Sequence, residues 1–86
     1  MNRYTVVYLA EAENNLIAIW ADATDRDEVT KSANAADRAL AENPLKDSMH
    51  LSERLRRGDF PPLRFYFSMR DEDRVVEISD VRRLKD

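Results

Sequence analysis

The chain has 86 residues, 14 basic and 17 acidic side chains, a formal net charge of −3, 43% hydrophobic residues and no cysteine. That length predicts one small domain over residues 1–86, and the missing cysteines exclude disulfides, thiolate metal sites and thiol catalysis; a single histidine excludes a histidine-based metal cage or a two-histidine active site. No apolar run approaches the roughly 20 residues that span a bilayer, Met1-Asn2-Arg3-Tyr4 does not read as a signal peptide, and the expectation is a soluble cytoplasmic protein with no metal or cofactor.

The first element expected in chain order is a strand over Arg3–Leu9, rich in β-branched and aromatic residues. Tyr4, Val6 and Tyr8 share one face and Thr5, Val7 and Leu9 the other, so both faces are expected to be at least partly covered. From Ala10 the period changes to that of a helix, with Ala12, Leu16, Ile19, Trp20 and Ala23 on one face. Glu11 and Glu13 suit its positive N-terminal end. Thr24 and Asp25 interrupt the pattern, and Asp25 with Glu28 has the spacing of an acidic capping box, Thr24 being a competing cap. A second helix turns Val29, Ala33, Ala36 and Leu40 inward, helped by Ser32 and Ala39. Pro44 stops it and pushes Asn43 out of the helical region. The two helices are expected to form an antiparallel hairpin.

After the proline the period drops to two. Met49, Leu51, Glu53 and Leu55 alternate with His50, Ser52, Arg54 and Arg56, which predicts a strand over 49–56. Residues 57–62 (RGDFPP) read as a loop, because adjacent prolines cannot donate to a ladder. Leu63 to Met69 is the strongest strand, with Leu63, Phe65, Phe67 and Met69 on one face and Arg64, Tyr66, Ser68 and Arg70 on the other. Asp71-Glu72-Asp73 forms a polar turn before a last strand over Val75–Val81. The order β-α-α-β-β-β predicts an α+β fold: an N-terminal strand, a helical hairpin, then a three-stranded antiparallel meander.

Charge is distributed unevenly along this pattern. Residues 1–43 hold 4 basic and 8 acidic groups, residues 44–86 hold 10 and 9. The arginines of the second half either form a solvated, ion-paired face or gather to meet phosphate or carboxylate groups. With Gly58 the only glycine, there is no phosphate-cradling glycine loop. Asp71, Glu72 and Asp73 read as a solvated turn rather than a cation site, and nothing in the sequence fixes Ser52, His50 and Asp80 as a triad. The constellation that holds chemistry is Arg64 and Tyr66 on the central strand, Arg54 and Arg56 on its neighbour, and Arg82 and Arg83 at the end of the last strand. Such a face suits a phosphodiester, the arginines stabilising charge and the tyrosine stacking on a base or relaying a proton. The alternative pairs Arg64 with Glu53 or Glu77 across strands and leaves Tyr66 to roof the sheet edge.

Taken together, several segments resemble the RelE/ParE superfamily, the toxins of type II toxin–antitoxin modules. They are Tyr4–Tyr8 running into Ala12, Leu16, Ile19 and Trp20; the Leu40…Pro44 helix end; Arg54-Leu55-Arg56; Leu63-Arg64-Phe65-Tyr66; and Val75–Ile78 with Val81-Arg82-Arg83. The resemblance implies a ribosome-dependent mRNA-cleaving toxin with Arg64, Tyr66 and Arg83 as catalytic residues and Arg54, Arg56 and Arg82 binding RNA. It also implies a cognate antitoxin, the ribosome and mRNA as partners, and a homodimer or a heterotetramer with the antitoxin. The chain departs from the family pattern in having Arg82 where many relatives have histidine, in lacking a lysine-rich first helix, and in its acidic net charge. These departures leave inhibition of DNA gyrase, as in ParE-like members, and a non-toxic partner-binding module of the same fold as alternatives.

Overall fold

A computed structural model describes residues 3–46 and 48–84. Its elements in chain order are β1 (Thr5–Tyr8), α1 (Ala10–Asp22), α2 (Arg26–Glu42), β2 (Ser48–Ser52), β3 (Leu55–Phe60), β4 (Leu63–Arg70) and β5 (Val75–Arg83). They build a five-stranded sheet in the order β1-β5-β4-β3-β2. β1 runs parallel to β5, and every other neighbouring pair is antiparallel. The architecture is the α+β arrangement expected from the sequence, with a meander of four strands rather than three.

The fourth strand comes from a hairpin inside the segment expected as strand 49–56. The chain reverses at Glu53-Arg54, so that Ser52 pairs with Leu55 and His50 with Arg56. Glu53 enters the turn with φ 44°, a left-handed conformation usually marked by glycine or asparagine. β3 then runs through the residues expected as a loop, up to Phe60, and only Pro61 and Pro62 lie outside the ladder. The proline rule held for the prolines themselves and not for the residues before them. Gly58 is buried in this strand between Ser48 and Phe65, with a negative φ, so it supplies space rather than backbone freedom.

The core lies between the helices and one face of the sheet. Leu63, Phe65 and Phe67 of β4 and Val76, Ile78 and Val81 of β5 pack with Ala12 of α1 and Val29, Ala36 and Leu40 of α2. Each large side chain buried this fully contributes about 1.5–3 kcal/mol. The spacing of the β5 residues is irregular: Val76 and Ile78 are two apart, Val81 three further on. A β-bulge at that point resolves it, for Phe67 pairs with Ile78 and Tyr66 with Asp80, leaving Ser79 as the extra residue. The Ser79 hydroxyl donates to the Tyr66 carbonyl across the irregularity.

Small side chains at Ala36 and Ser32 let α2 lie close on the sheet, and the Ser32 hydroxyl donates to the Phe60 carbonyl. From β1, Val6 and Tyr8 face the helices, and the Tyr8 hydroxyl donates to Asp37 of α2 at 2.8 Å. Burial, aided by that bond to a carboxylate, pushes the Tyr8 phenol well above its ordinary value. Thr5 and Val7 are exposed, so β1 is covered on one face and not on both as expected.

Two expectations for the helical hairpin are corrected. Trp20 does not join the core: its ring is half exposed, the Arg26 guanidinium lies 4.8 Å from its centre, and its indole N–H donates to Thr30. Arg26 also donates to the carbonyls of Trp20 and Ala21, closing the end of α1. Asp25 stands at the N-cap of α2 without making the expected side-chain cap: its backbone, at φ −108° and ψ 51°, is not in the extended capping conformation, and Oδ2 accepts from Arg83 while Oδ1 is buried without a partner. Pro44 ends α2 as expected, with Asn43 extended at φ −156°. Among the described residues no helix is long and apolar enough to cross a membrane.

Candidate functional site

Period two and cross-strand register place the polar side chains of β3, β4 and β5 on the sheet face that the helices leave uncovered. One row across the sheet is Asp59–Arg64–Arg82, from β3, β4 and β5. The next is Met49–Arg57–Tyr66–Asp80, from β2 to β5. Arg64 and Tyr66 thus lie on one face as expected, and Arg82 joins them directly opposite Arg64. Two arginines paired across strands repel unless something neutralises them.

Two carboxylates do so. Arg64 donates Nε and Nη2 to the two oxygens of Asp59, at 2.7 and 3.1 Å, a side-on bidentate pair. Arg82 donates Nε to Asp80 at 2.7 Å. The bond to Asp59, and after it Tyr66, holds the Arg64 guanidinium above its ordinary value, while Arg64 in turn holds the Asp59 carboxyl low. Asp80 is fixed from several sides. Burial pushes its pKa up, but bonds from Arg82 and Asn15, the Arg82 charge and the Val81 N–H outweigh it, and the carboxyl is held low. Neither partner expected for Arg64 is used: Glu77 pairs with Arg70, and Glu53 lies in the β2–β3 turn.

The remaining candidates lie elsewhere. Arg83 pairs with Leu63, so it projects on the helix side of the sheet and donates to Asp25 at 2.6 Å, pinning the end of β5 to the α1–α2 connection. The structure does not bring it together with Arg64 and Tyr66. Arg56 lies in the row of Phe67 and is tied to the Ser48 hydroxyl at 2.9 Å and the Ser48 carbonyl, while that hydroxyl donates to the Pro44 carbonyl. Arg54 sits in the exposed hairpin turn. With Arg56 and Arg70 it borders a hollow of about 510 Å³, which Glu53, Asp71, Glu72 and Asp73 line with opposite charge.

His50 faces away from Asp80, across three strand boundaries, and its Nε2 lies 2.8 Å from the Glu53 carbonyl, so Ser52, His50 and Asp80 form no triad. Asp71 accepts from the Tyr4 hydroxyl, which raises the Tyr4 phenol, and among the described residues no cluster of three acidic or histidine side chains could hold a metal ion. The residues missed by sequence reasoning are Arg57 and Asp59, assigned there to a loop. The available signal was the alternation of Gly58 and Phe60 with Arg57 and Asp59, which continues the strand to the prolines.

Beyond these rows the face carries Ser68 opposite Glu77, and Arg70 donates to Glu77. Met49 on β2 and Val7 on β1 are exposed at the two edges of the face. The face therefore presents arginines, their carboxylates, a half-buried tyrosine and two exposed aliphatic side chains.

The pairs also set the acid response. Asp25, Asp59 and Asp80 all have folded-state pKa values below the ordinary range: Arg83 does this for Asp25, and Arg64 and Arg82 for the others. A lowered carboxyl pKa contributes stability in full above about pH 4, lost as pH falls through the folded-state value. The melting temperature is therefore expected to hold from neutrality to mild acid and to fall below about pH 4. Replacing all three with asparagine should make that fall shallower, as a series of thermal melts would show.

No family model matches the chain, and no curated protein matches it. Solved structures do. The chain is similar to one from the toxin–antitoxin complex RelBE2 of Mycobacterium tuberculosis, with TM-score 0.79 and 19% identity over 94% of this chain and 98% of that one. It is similar to a chain of the chromosomal ParDE toxin–antitoxin system of P. aeruginosa, with TM-score 0.72 and 14% identity over 99% and 100%. A third likeness is to the archaeal RelE–RelB complex of Pyrococcus horikoshii OT3, with TM-score 0.70, 14% identity and 96% of each chain covered. At these identities the likeness establishes a RelE/ParE-type fold.

Proposed function

We propose that the chain is the toxin-type half of a toxin–antitoxin pair, neutralised by a cognate antitoxin, and that it inhibits growth by binding a protein target through its open sheet face. DNA gyrase is the target this reading favours. The likeness to chains from three toxin–antitoxin systems supports the module assignment. The observation that carries the mode of action is the commitment of Arg64, Arg82 and Arg83 to Asp59, Asp80 and Asp25. A phosphodiester would meet arginines whose charge the chain already answers, whereas a protein surface can answer both signs and cover Val7 and Met49 as well.

Ribosome-dependent mRNA cleavage is the second reading, and Arg57 favours it. Arg57 lies opposite Tyr66 and carries no ion pair among the described residues. With Arg64 and Arg82 in the next row, Arg57 would stabilise charge on phosphorus oxygens, while Tyr66 relays a proton or stacks on a base. Arg83, Arg54 and Arg56 would then act from outside this cluster.

Induction of the chain alone, and together with the neighbouring short reading frame, tests both readings. Growth arrest with intact message, relieved by the neighbour, and loss of gyrase supercoiling by the purified protein are the expected results. Defined cuts within codons would carry the second reading instead. Unimpaired growth with a folded protein would make the chain a non-toxic partner-binding module.

A further inference from the structure

The open face holds three arginines within two adjacent rows, Arg57, Arg64 and Arg82, yet two aspartates share those rows. Neither aspartate is a core side chain, Asp59 being exposed and Asp80 half buried. Their placement is local. Asp59 occupies the Arg64 fork through both oxygens, and Asp80, held by Asn15 and the Val81 N–H, presents its other oxygen to Arg82. The side-on edge of Arg64 and the Nε of Arg82 are thus taken from within the chain, and the charge of both guanidiniums is answered there.

We propose that Asp59 and Asp80 are the specificity-determining residues of this face: by pairing with Arg64 and Arg82 and offsetting their charge they disfavour phosphodiester backbones and leave the face selective for a protein partner. The inference rests on the protein-target reading and names what enforces it. The aspartates act as anti-determinants, which lower affinity for the wrong class of ligand rather than raise it for the right one. Without them the two rows would carry Arg57, Arg64 and Arg82 unopposed, and a nucleic-acid strand would gain two phosphate contacts.

The test is binding of a short, fluorescently labelled single-stranded RNA to the full chain, followed by anisotropy across a salt series. The wild type is expected to bind weakly. The D59N/D80N variant should bind at least about tenfold more tightly, with a log–log salt slope steeper by about 1.4, from two phosphate contacts at about 0.7 each. Asparagine keeps an acceptor oxygen for Asn15 and the Val81 N–H, and thermal melts report that each variant is folded. E13Q/E42Q removes the same charge from the helices and should leave binding unchanged. Adding R64Q/R82Q to D59N/D80N should abolish the gain.

Tight RNA binding by the wild type, no gain in D59N/D80N, an equal gain in E13Q/E42Q, or a gain surviving R64Q/R82Q would each overturn the proposal. Failure of the protein-target reading shows separately, as message cleavage or absence of arrest when the wild type is induced.

Discussion

Phe65→Ala is expected to abolish cooperative folding, or to bring it close to abolition, while Phe65→Leu leaves a folded protein. Phe65 is fully buried at the centre of the middle strand, flanked by Gly58 on β3 and Val81 on β5. Truncation to alanine removes most of a phenyl ring from a site the neighbouring strands cannot collapse into, a cost of about 3–5 kcal/mol. It also removes the edge-to-face contact with Phe60, whose ring centre lies 5.9 Å away at 77°. A chain of this length commands a total stability of about 4–13 kcal/mol, from about 0.05–0.15 kcal/mol per residue. One substitution thus consumes a large part of the whole. Urea titration followed by circular dichroism would show a lost or strongly shifted transition for alanine and a modest shift for leucine. A wild-type-like midpoint for Phe65→Ala would mean that the packing around this ring is not what holds the sheet to the helices.

Gly58→Val is the second substitution with a large expected effect, and its cause is the opposite one. Valine suits an extended backbone, and Gly58 has no positive φ to lose. The difficulty is volume: position 58 is buried between Ser48 and Phe65 on the helix side, beneath the point where Ser32 of α2 reaches the Phe60 carbonyl. A branched side chain there must push β3 away from α2, at about 1–3 kcal/mol. Displacement of β3 also moves Asp59 relative to Arg64. Gly58→Val is therefore expected to lower the denaturation midpoint and, beyond the loss of stability, to weaken partner binding by protein that remains folded. Gly58→Ala adds one methyl group and restricts the unfolded chain, so its net cost should be smaller. Equal midpoints for valine and wild type would show that space at this position is not limiting.

Much of the architecture was legible before the structure. β4 announced itself through alternation, and its two faces, Leu63/Phe65/Phe67 and Arg64/Tyr66/Ser68, are those observed. The helices were legible from their period, and the end of α2 from Pro44. The β2–β3 hairpin was not, because its turn is built from Ser52, Glu53, Arg54 and Leu55, with no glycine, asparagine or proline to mark a reversal. Glu53 takes a left-handed φ that its side chain does not advertise. Without that turn, periodicity leaves Arg57 and Asp59 in a loop and sets Arg54 and Arg56 on one strand. Trp20 stands outside the core for a related reason: helical spacing says which residues share a stripe, not how far around the stripe the contact extends.

The candidate site divides in the same way. That Arg64 and Tyr66 share a face follows from period two alone, a local property of any extended chain. Which carboxylate meets which arginine does not follow, because ion pairs between strands depend on register, and register depends on turns and bulges. The extra residue at Ser79 sends Arg82 to the open face beside Arg64 and Arg83 to the helix side, where Asp25 awaits it. By itself, the sequence determined the layers, the helical hairpin and the apolar face of the central strand, since each is written in short-range periodicity. The tertiary structure alone decided that the arginines are answered from within the chain: Asp59 through the β3–β4 register, Asp80 through the bulge, and Asp25 through the meeting of β5 with the helical hairpin.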